Sequence, residues 1–161
     1  MLFIKNRYII RATISINPHQ MHSQTCRLLF FTALLLIITA CGDNWEEEHG
    51  YGPITEPIEL GELNVERATE GEQIFGAYCE ACHAMTSSIS GPPLGDIADK
   101  RTAEYIINYT LNPRENRQNH PIGQQIADEY PGVMSDMGIS EEEARTVYEY
   151  LRYYAEHGEN P

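Results

Sequence analysis

Two cysteines and a histidine stand close together in the run CEACH at residues 79–83. Two residues between Cys79 and Cys82 place both thiols on one helical turn, within reach of the two vinyl groups at one edge of a porphyrin. Thioether bonds to both thiols would fix the ring. His83 would then be held below the iron and would supply its proximal nitrogen ligand. The spacing is typical of covalent haem c attachment, so the sequence predicts one covalently bound haem c.

Three other kinds of site use the same residue types. A thioredoxin-like redox pair needs a strand–helix setting, for which the sequence has no pattern. A zinc site needs four ligands, and the sequence has no second C-x-x-C or histidine pair to complete them. A structural disulfide between Cys79 and Cys82 stays possible, but it would give His83 no role.

The elements that must position this motif are helical. The sequence predicts a first helix from Ala68 with a capping box at residues 69–72, and a second from Thr102 to a point before Asn112. A third helix runs from a capping box at residues 140–143 to Gly158. Loops rich in glycine and proline fill residues 84–101 and 112–138. We therefore expect an all-α fold, a small domain of three main helices around a covalently attached haem.

The first 40 residues have the pattern of a bacterial signal peptide. They contain no Asp or Glu, and residues 28–40 form an apolar run that is too short for a membrane span. Met21 is an alternative start, because residues 21–40 alone make a complete signal. The run ends in Ile38-Thr39-Ala40-Cys41, which resembles the lipobox of bacterial lipoproteins. Cys41 is therefore predicted to be lipidated and to become the new N-terminus.

Residues 41–66 follow as the lipidated cysteine and an acidic segment rich in glycine and proline, a composition typical of a flexible tether. The alternative is that part of it, about Ile54 to Leu63, packs on the domain as an irregular strap. The predicted organisation is thus a signal peptide at 1–40, a tether at 41–66 and a globular domain at 67–161.

Residues 68–158 resemble a class I monohaem cytochrome c. The matching features are Gly71 and Phe75 ahead of CEACH, Gly91-Pro92-Pro93-Leu94 after it, Arg101-Thr102, Asn112-Pro113, a late methionine and Tyr150-Leu151. The resemblance implies that the first and last helices cross closely at Gly71, against Tyr150. It also implies that the Pro92 carbonyl accepts a hydrogen bond from the ring of His83. Arg101 would lie near a haem propionate, or else simply in solvent.

The same resemblance implies a distal methionine shortly before the last helix. Met134 matches the ligand position best, although Ser135 follows it where proline is common. Met137 is the second candidate, and His120 would give bis-histidine ligation. Met85 stands too close to His83 to reach the opposite face of the haem.

With histidine and methionine both bound, the iron would have no open position, which suits electron transfer and predicts no catalytic residue. We expect a single-electron carrier between respiratory complexes, lipid-anchored through Cys41 on the periplasmic side of a bacterial membrane. A haem subunit of a permanent oxidoreductase complex and a haem-based ligand sensor with a labile sixth ligand are the alternatives. A plain structural lipoprotein with a CEACH disulfide is a further one.

The net charge of the chain indicates which kinds of partner it can bind. The net charge is −13, and beyond residue 40 it is −17, which excludes a general nucleic-acid binder. Acidity of this degree predicts redox partner proteins with a basic docking patch: an oxidase, a reductase or a quinol-oxidising complex.

Overall fold

The computed structural model of the chain describes residues 45–161, and the regular secondary structure in that range is helical. Its seven helices are α1 (Trp45–His49), α2 (Val65–Tyr78), α3 (Ile97–Lys100), α4 (Ala103–Leu111), α5 (Pro113–Asn119), α6 (Pro121–Glu129) and α7 (Glu141–His157). The predicted all-α fold is confirmed. Within the described range, no helix has the length and apolar character that crossing a bilayer requires. The predicted signal peptide and Cys41 lie outside these residues.

The first predicted helix begins earlier than its pattern indicated. The Asn64 side chain caps α2 by accepting a hydrogen bond from the backbone N–H of Arg67 at 2.8 Å. Thr69 lies inside the helix, and its hydroxyl donates to the carbonyl of Val65. The capping box predicted at residues 69–72 is therefore wrong, because asparagine caps a helix at least as well as threonine and stands upstream.

The predicted ends of the other two helices are confirmed. The Thr102 hydroxyl accepts the backbone N–H of Tyr105 at 3.2 Å and caps α4. Ser140 and Glu143 form a reciprocal capping box at the start of α7. Gly158 ends α7 with a φ of 74°, a left-handed conformation that glycine adopts without a steric penalty.

Helices α2 and α7 cross in close contact at Gly71. A Cβ at this position would lie 2.2 Å from the carbonyl oxygen of Thr146 and 2.9 Å from Cβ of Tyr150, so any larger residue would force the helices apart. The rings of Phe75 and Tyr150 meet edge to face, with centroids 5.4 Å apart. The crossing implied by the resemblance is confirmed.

The region predicted as a loop over 112–138 contains two helices. Pro113 and Pro121 stand in the first turns of α5 and α6, where a missing N–H costs nothing and the fixed φ favours the helix. The expectation of an irregular loop is wrong here because proline breaks a helix interior but starts a helix well.

Residues 45–64, called the strap below, pack on the domain. Ile54 is 5 % exposed and belongs to the core. The indole N–H of Trp45 donates to the carbonyl of Ile54 at 3.1 Å, which closes the start of the strap on itself. The flexible tether predicted for this segment is wrong over the described residues, and the alternative of a strap is correct and extends further toward the N-terminus. The globular domain accordingly includes residues before 67.

Buried amide and imidazole groups hold the first half of the strap. Oδ1 of Asn116 accepts the backbone N–H of Tyr51 at 2.8 Å, and its Nδ2 donates to the Tyr51 carbonyl at 2.6 Å. Nδ1 of His120 accepts the N–H of Ile122 at 3.2 Å, so the ring proton is on Nε2, which donates to the carbonyl of Glu47 at 2.9 Å.

Two carboxylates hold the second half of the strap. Glu104 accepts the backbone N–H of Ile58 at 2.6 Å, and Glu149 accepts that of Asn64 at 2.7 Å. Six polar residues are buried in the described range, and all except Thr146 bind the backbone of the strap: Glu104, Asn108, Asn116, His120 and Glu149. The strap is therefore part of the core and satisfies the hydrogen-bonding needs of its buried polar groups.

Candidate haem site

The CEACH motif forms a tight turn directly after α2. The backbone N–H of Cys79 donates to the carbonyl of Phe75 at 2.8 Å, and this hydrogen bond closes the end of α2. The N–H groups of Cys82 and His83 then both donate to the carbonyl of Cys79, at 3.0 and 2.9 Å. This turn brings the two cysteines and the histidine to the edge of one cavity.

The imidazole of His83 is held in one orientation. Its Nδ1 lies 2.8 Å from the carbonyl oxygen of Pro92. Because a carbonyl can only accept, Nδ1 carries a proton and donates, so in the neutral imidazole the free lone pair lies on Nε2. This is the tautomer that binds a metal through Nε2, with its ring fixed by the bond on the other nitrogen.

Gly91 lies directly against this imidazole. A Cβ at Gly91 would come within 2.4 Å of Cε1 of His83, so any side chain here would displace the ring. The N–H groups of Ser90 and Gly91 both donate to the carbonyl of Cys82, at 3.2 and 3.0 Å. These bonds fold the following loop back over the motif and bring Pro92 to the histidine.

The cavity has a volume of about 440 Å³ and is lined mainly by apolar side chains. Its size suits an organic cofactor, for which pockets of ~300–1,000 Å³ are usual. Cys79, Cys82, His83, Pro92 and Met134 all line it. The five residues predicted from the sequence as cofactor-binding are thus brought together.

Met137 lines the same cavity. Met134 is half-buried, whereas Met137 is 38 % exposed. Met85 and His120 are not among the described residues that line the cavity, and both ring nitrogens of His120 are engaged in hydrogen bonds. His120 serves the strap rather than the cavity.

The alternatives for CEACH find little support. The described residues contain no cluster of three or more His, Cys, Asp or Glu side chains arranged to hold a metal ion. Cys79 and Cys82 are not joined in a disulfide. Burial, with the nearby Cys82, raises the pKa of the Cys79 thiol to about 11, the opposite of the lowered pKa of a redox-active thiolate.

A cluster of three polar residues also reaches the cavity, and sequence reasoning missed it: Tyr105, Tyr109 and Arg117. Arg101, the cation implied by the resemblance, is not among the lining residues. Its guanidinium donates to the carbonyl of Lys100 and lies 6.0 Å from the Tyr105 ring centroid. The sequence offered no signal for Arg117, because the region around it was expected to be a loop.

Residues 66–151 match the sequence model of the family described as cytochrome c oxidase, cbb3-type, subunit III. The chain is 29 % identical over 97 residues to cytochrome c-551 of Bacillus subtilis (strain 168), a match that covers 60 % of this chain and 80 % of that protein.

Solved structures show the same similarity to cytochrome c. The chain is 41 % identical to cytochrome c from Rhodothermus marinus, with a TM-score of 0.66 over 71 % of this chain and 98 % of that one. An engineered form of that cytochrome c is 39 % identical, with the same TM-score, and is covered over its whole length. With the family model matching more than half of the residues, the chain belongs to the cytochrome c family, as a monohaem electron-transfer protein with covalently bound haem c.

Proposed function

We propose that the protein is a lipid-anchored carrier of single electrons between respiratory complexes. Haem c is attached through Cys79 and Cys82, and the iron is ligated by His83 and Met134. One observation supports this most directly. His83, with its Nδ1 bonded to Pro92 and its Nε2 free, lines the same apolar cavity as both cysteines and Met134.

The haem supplies reversible one-electron chemistry when bound. The Pro92 carbonyl orients His83 and raises its basicity as a ligand. Met134, which lines the same cavity, would supply the second protein ligand of the iron, and a thioether ligand raises the reduction potential relative to a second histidine. The apolar lining limits the water that would otherwise reorganise with each change of charge.

The visible spectrum tests the ligation. The holoprotein, produced in a host with haem-attachment machinery, should show a sharp low-spin reduced spectrum, a weak far-red sulfur-to-iron band when oxidised, and no response to carbon monoxide. A high-spin spectrum that shifts with carbon monoxide would contradict the His–Met proposal and favour the ligand sensor. A colourless protein would contradict the whole assignment.

A pair of variants separates the two methionines. Met134→Ala should lose the far-red band and gain carbon monoxide binding, because the sixth position opens. Met137→Ala is the matched control, since it removes a second methionine from the same cavity. If Met137→Ala loses the band and Met134→Ala keeps it, the ligand is Met137.

The proposed anchor is the acylated Cys41, on the periplasmic side of the membrane. Several acyl chains hold a protein stably on a bilayer, where one chain gives only marginal binding. Cells producing the wild type should retain the cytochrome in the membrane fraction, and Cys41→Ser should release it or leave its precursor unprocessed. Equal membrane retention of both forms would contradict the lipid anchor.

The partner is proposed to carry a basic docking patch. Residues 45–161 contain seven Lys or Arg and 23 Asp or Glu, and four of the basic residues are already in ion pairs with carboxylates of the same chain. Attraction to a basic partner accelerates association and weakens with salt. Electron-transfer rates to a terminal oxidase should therefore fall as ionic strength rises, and a rate independent of salt would argue against this partner.

The family description favours a second candidate, a haem subunit held permanently in an oxidase complex. Mild detergent extraction distinguishes the two. A shuttle should separate from the oxidase on gel filtration, whereas a subunit should co-elute in a fixed ratio.

A further inference from the structure

His120 is a buried histidine that does not line the cavity, and both of its ring nitrogens are hydrogen-bonded. The residue is 1 % exposed. Its Nδ1 accepts the backbone N–H of Ile122 at 3.2 Å, and its Nε2–H donates to the carbonyl of Glu47 at 2.9 Å. The ring therefore joins the first turn of α6 to α1, the helix at the start of the strap.

This pair of hydrogen bonds admits only one protonation state of the ring. An imidazolium carries a proton on each nitrogen and has no acceptor, so it cannot receive the N–H of Ile122. It would also place a positive charge where water does not reach, and burying a charge without a partner is costly. Protonation of His120 therefore opposes the packing that surrounds it.

The groups that face the ring do not compensate for such a charge. Tyr51 of the strap and Tyr105 of α4 are phenols, uncharged at neutral pH, with ring centroids 6.3 and 5.0 Å from the imidazole. Glu47 is an exposed residue that meets the ring through its carbonyl, and α5 and α6 meet it through uncharged backbone groups. No ion pair within residues 45–161 includes His120. The closed strap thus requires the neutral imidazole.

The helix that this ring holds has little other attachment to the core. None of the residues of α1 is buried. Nδ2 of Asn108 donates to the carbonyl of His49 at 2.9 Å, and the indole N–H of Trp45 bonds within the strap. Segments with little buried surface open more readily than the core does. The loss of the bond to His120 should therefore release α1 before any other helix.

We propose that His120 is an acid-sensitive latch, which holds α1 on the domain while its ring is neutral and releases it when the ring takes up a proton. Once α1 has left, the imidazole lies in water, where histidine titrates at about pH 6.5. The open form then binds a proton that the closed form does not bind, so closure is favoured above this pH and is lost as the pH falls. Opening adds residues 45–49 to the linker that carries Cys41, and this consequence, unlike the latch itself, rests on the proposed acylation.

Amide hydrogen exchange of the holoprotein between about pH 8 and pH 5 tests the latch, with each rate divided by that of an unstructured chain at the same pH. Protection of the Gly50 and Ile122 amides should fall by up to about tenfold per pH unit below the transition, which is the slope for one proton. The amide of Ile58 should stay protected, because Glu104 holds it in the second half of the strap. Unchanged protection of Gly50 and Ile122 would overturn the inference.

Histidine variants show which ring is responsible. His120→Gln keeps a donor and an acceptor but has no titratable proton, so its α1 should stay protected throughout this pH range. His49→Gln is the matched control, because that histidine lies in α1 itself and its Nδ1 bonds to the carbonyl of Trp45. It should keep the response of the wild type. A response of His120→Gln equal to that of the wild type would overturn the inference.

A measurement on the wild type decides the question if His120→Gln does not assemble. Nitrogen NMR of the ferrous holoprotein should show the His120 ring protonated on Nε2 alone at high pH, and its second protonation should coincide with the loss of protection at Gly50. A doubly protonated ring with Gly50 still protected would overturn the inference. The latch and the proposed function fail separately, because a latch that does not open leaves the His–Met visible spectrum as it is.

Discussion

Asn108 pairs with the backbone of Ile54 as a neighbouring β-strand would. The N–H of Ile54 donates to Oδ1 of Asn108 at 2.9 Å, and Nδ2 of Asn108 donates to the carbonyl of Ile54 at 2.9 Å. The same Nδ2 also donates to the carbonyl of His49 at 2.9 Å. One fully buried side chain thus provides the backbone partners that an irregular segment cannot find in itself.

Replacing this amide should loosen the strap. We expect Asn108→Ala to lower the free energy of unfolding by about 2–4 kcal/mol, because several buried backbone groups lose their partners at once. Asn119→Ala, at an exposed position at the end of α5, is the control and should change stability little. Denaturant unfolding of the holoproteins measures both, and equal midpoints would show that the strap contributes nothing to stability.

The helix crossing gives a second prediction with a control on the same helix. Gly71→Ala should destabilise the fold by about 1–3 kcal/mol, since its Cβ would meet the backbone of Thr146. Gly76→Ala should instead be neutral or stabilising, because its Cβ would meet only the flexible end of Glu80, at 3.6 Å. Thermal unfolding compares the two, and a Gly71→Ala variant as stable as the wild type would contradict the close crossing.

The contact between Gly91 and His83 gives a third prediction. Gly91→Ala should displace the imidazole, so we expect incomplete haem attachment or a weakened iron–nitrogen bond. Pro92→Ala should have a smaller effect, because the hydrogen bond to His83 uses the backbone carbonyl, which alanine also carries. Haem content and the low-spin spectrum check both. A normal spectrum for Gly91→Ala would show that the ring tolerates the added methyl group.

Truncation tests how far the domain extends. A chain that begins at residue 65 keeps α2 but lacks the strap, and exposes Asn108, Asn116 and His120 without their partners. We expect a lower midpoint of thermal unfolding than for a chain that begins at residue 44. Similar midpoints would mean that the strap is dispensable to the core. Both chains need the same export signal, so that haem attachment is matched.

The parts of the fold that local signals determine could be predicted from the sequence. The capping box at Ser140 and the left-handed Gly158 act over a few residues, and the resemblance to class I cytochromes c implied the close crossing at Gly71. The haem site is similar, because Cys79, Cys82 and His83 are adjacent in the chain and Pro92 follows in the next loop.

The sequence offered the strap only as an alternative to a flexible tether, because local signals do not show it. Its composition is that of a linker, and the groups that hold it stand far along the chain: Asn116 comes 65 positions after Tyr51. Asn108 was the available signal, a polar residue inside an apolar helix. Arg117 lines the cavity from its position in α5. The sequence predicted a loop where α5 and α6 lie, because of their prolines.

The place where the strap begins also sets how far the protein can reach. Only residues 42–44 separate the proposed acylated Cys41 from Trp45, and four extended steps of the chain span about 14 Å. If Cys41 carries the lipid as proposed, an electron carrier on so short a tether could not bridge the periplasm between two membranes. Its donor and its acceptor would then both lie at the surface of the bilayer that holds the lipid, and diffusion within that plane would set how often it meets them.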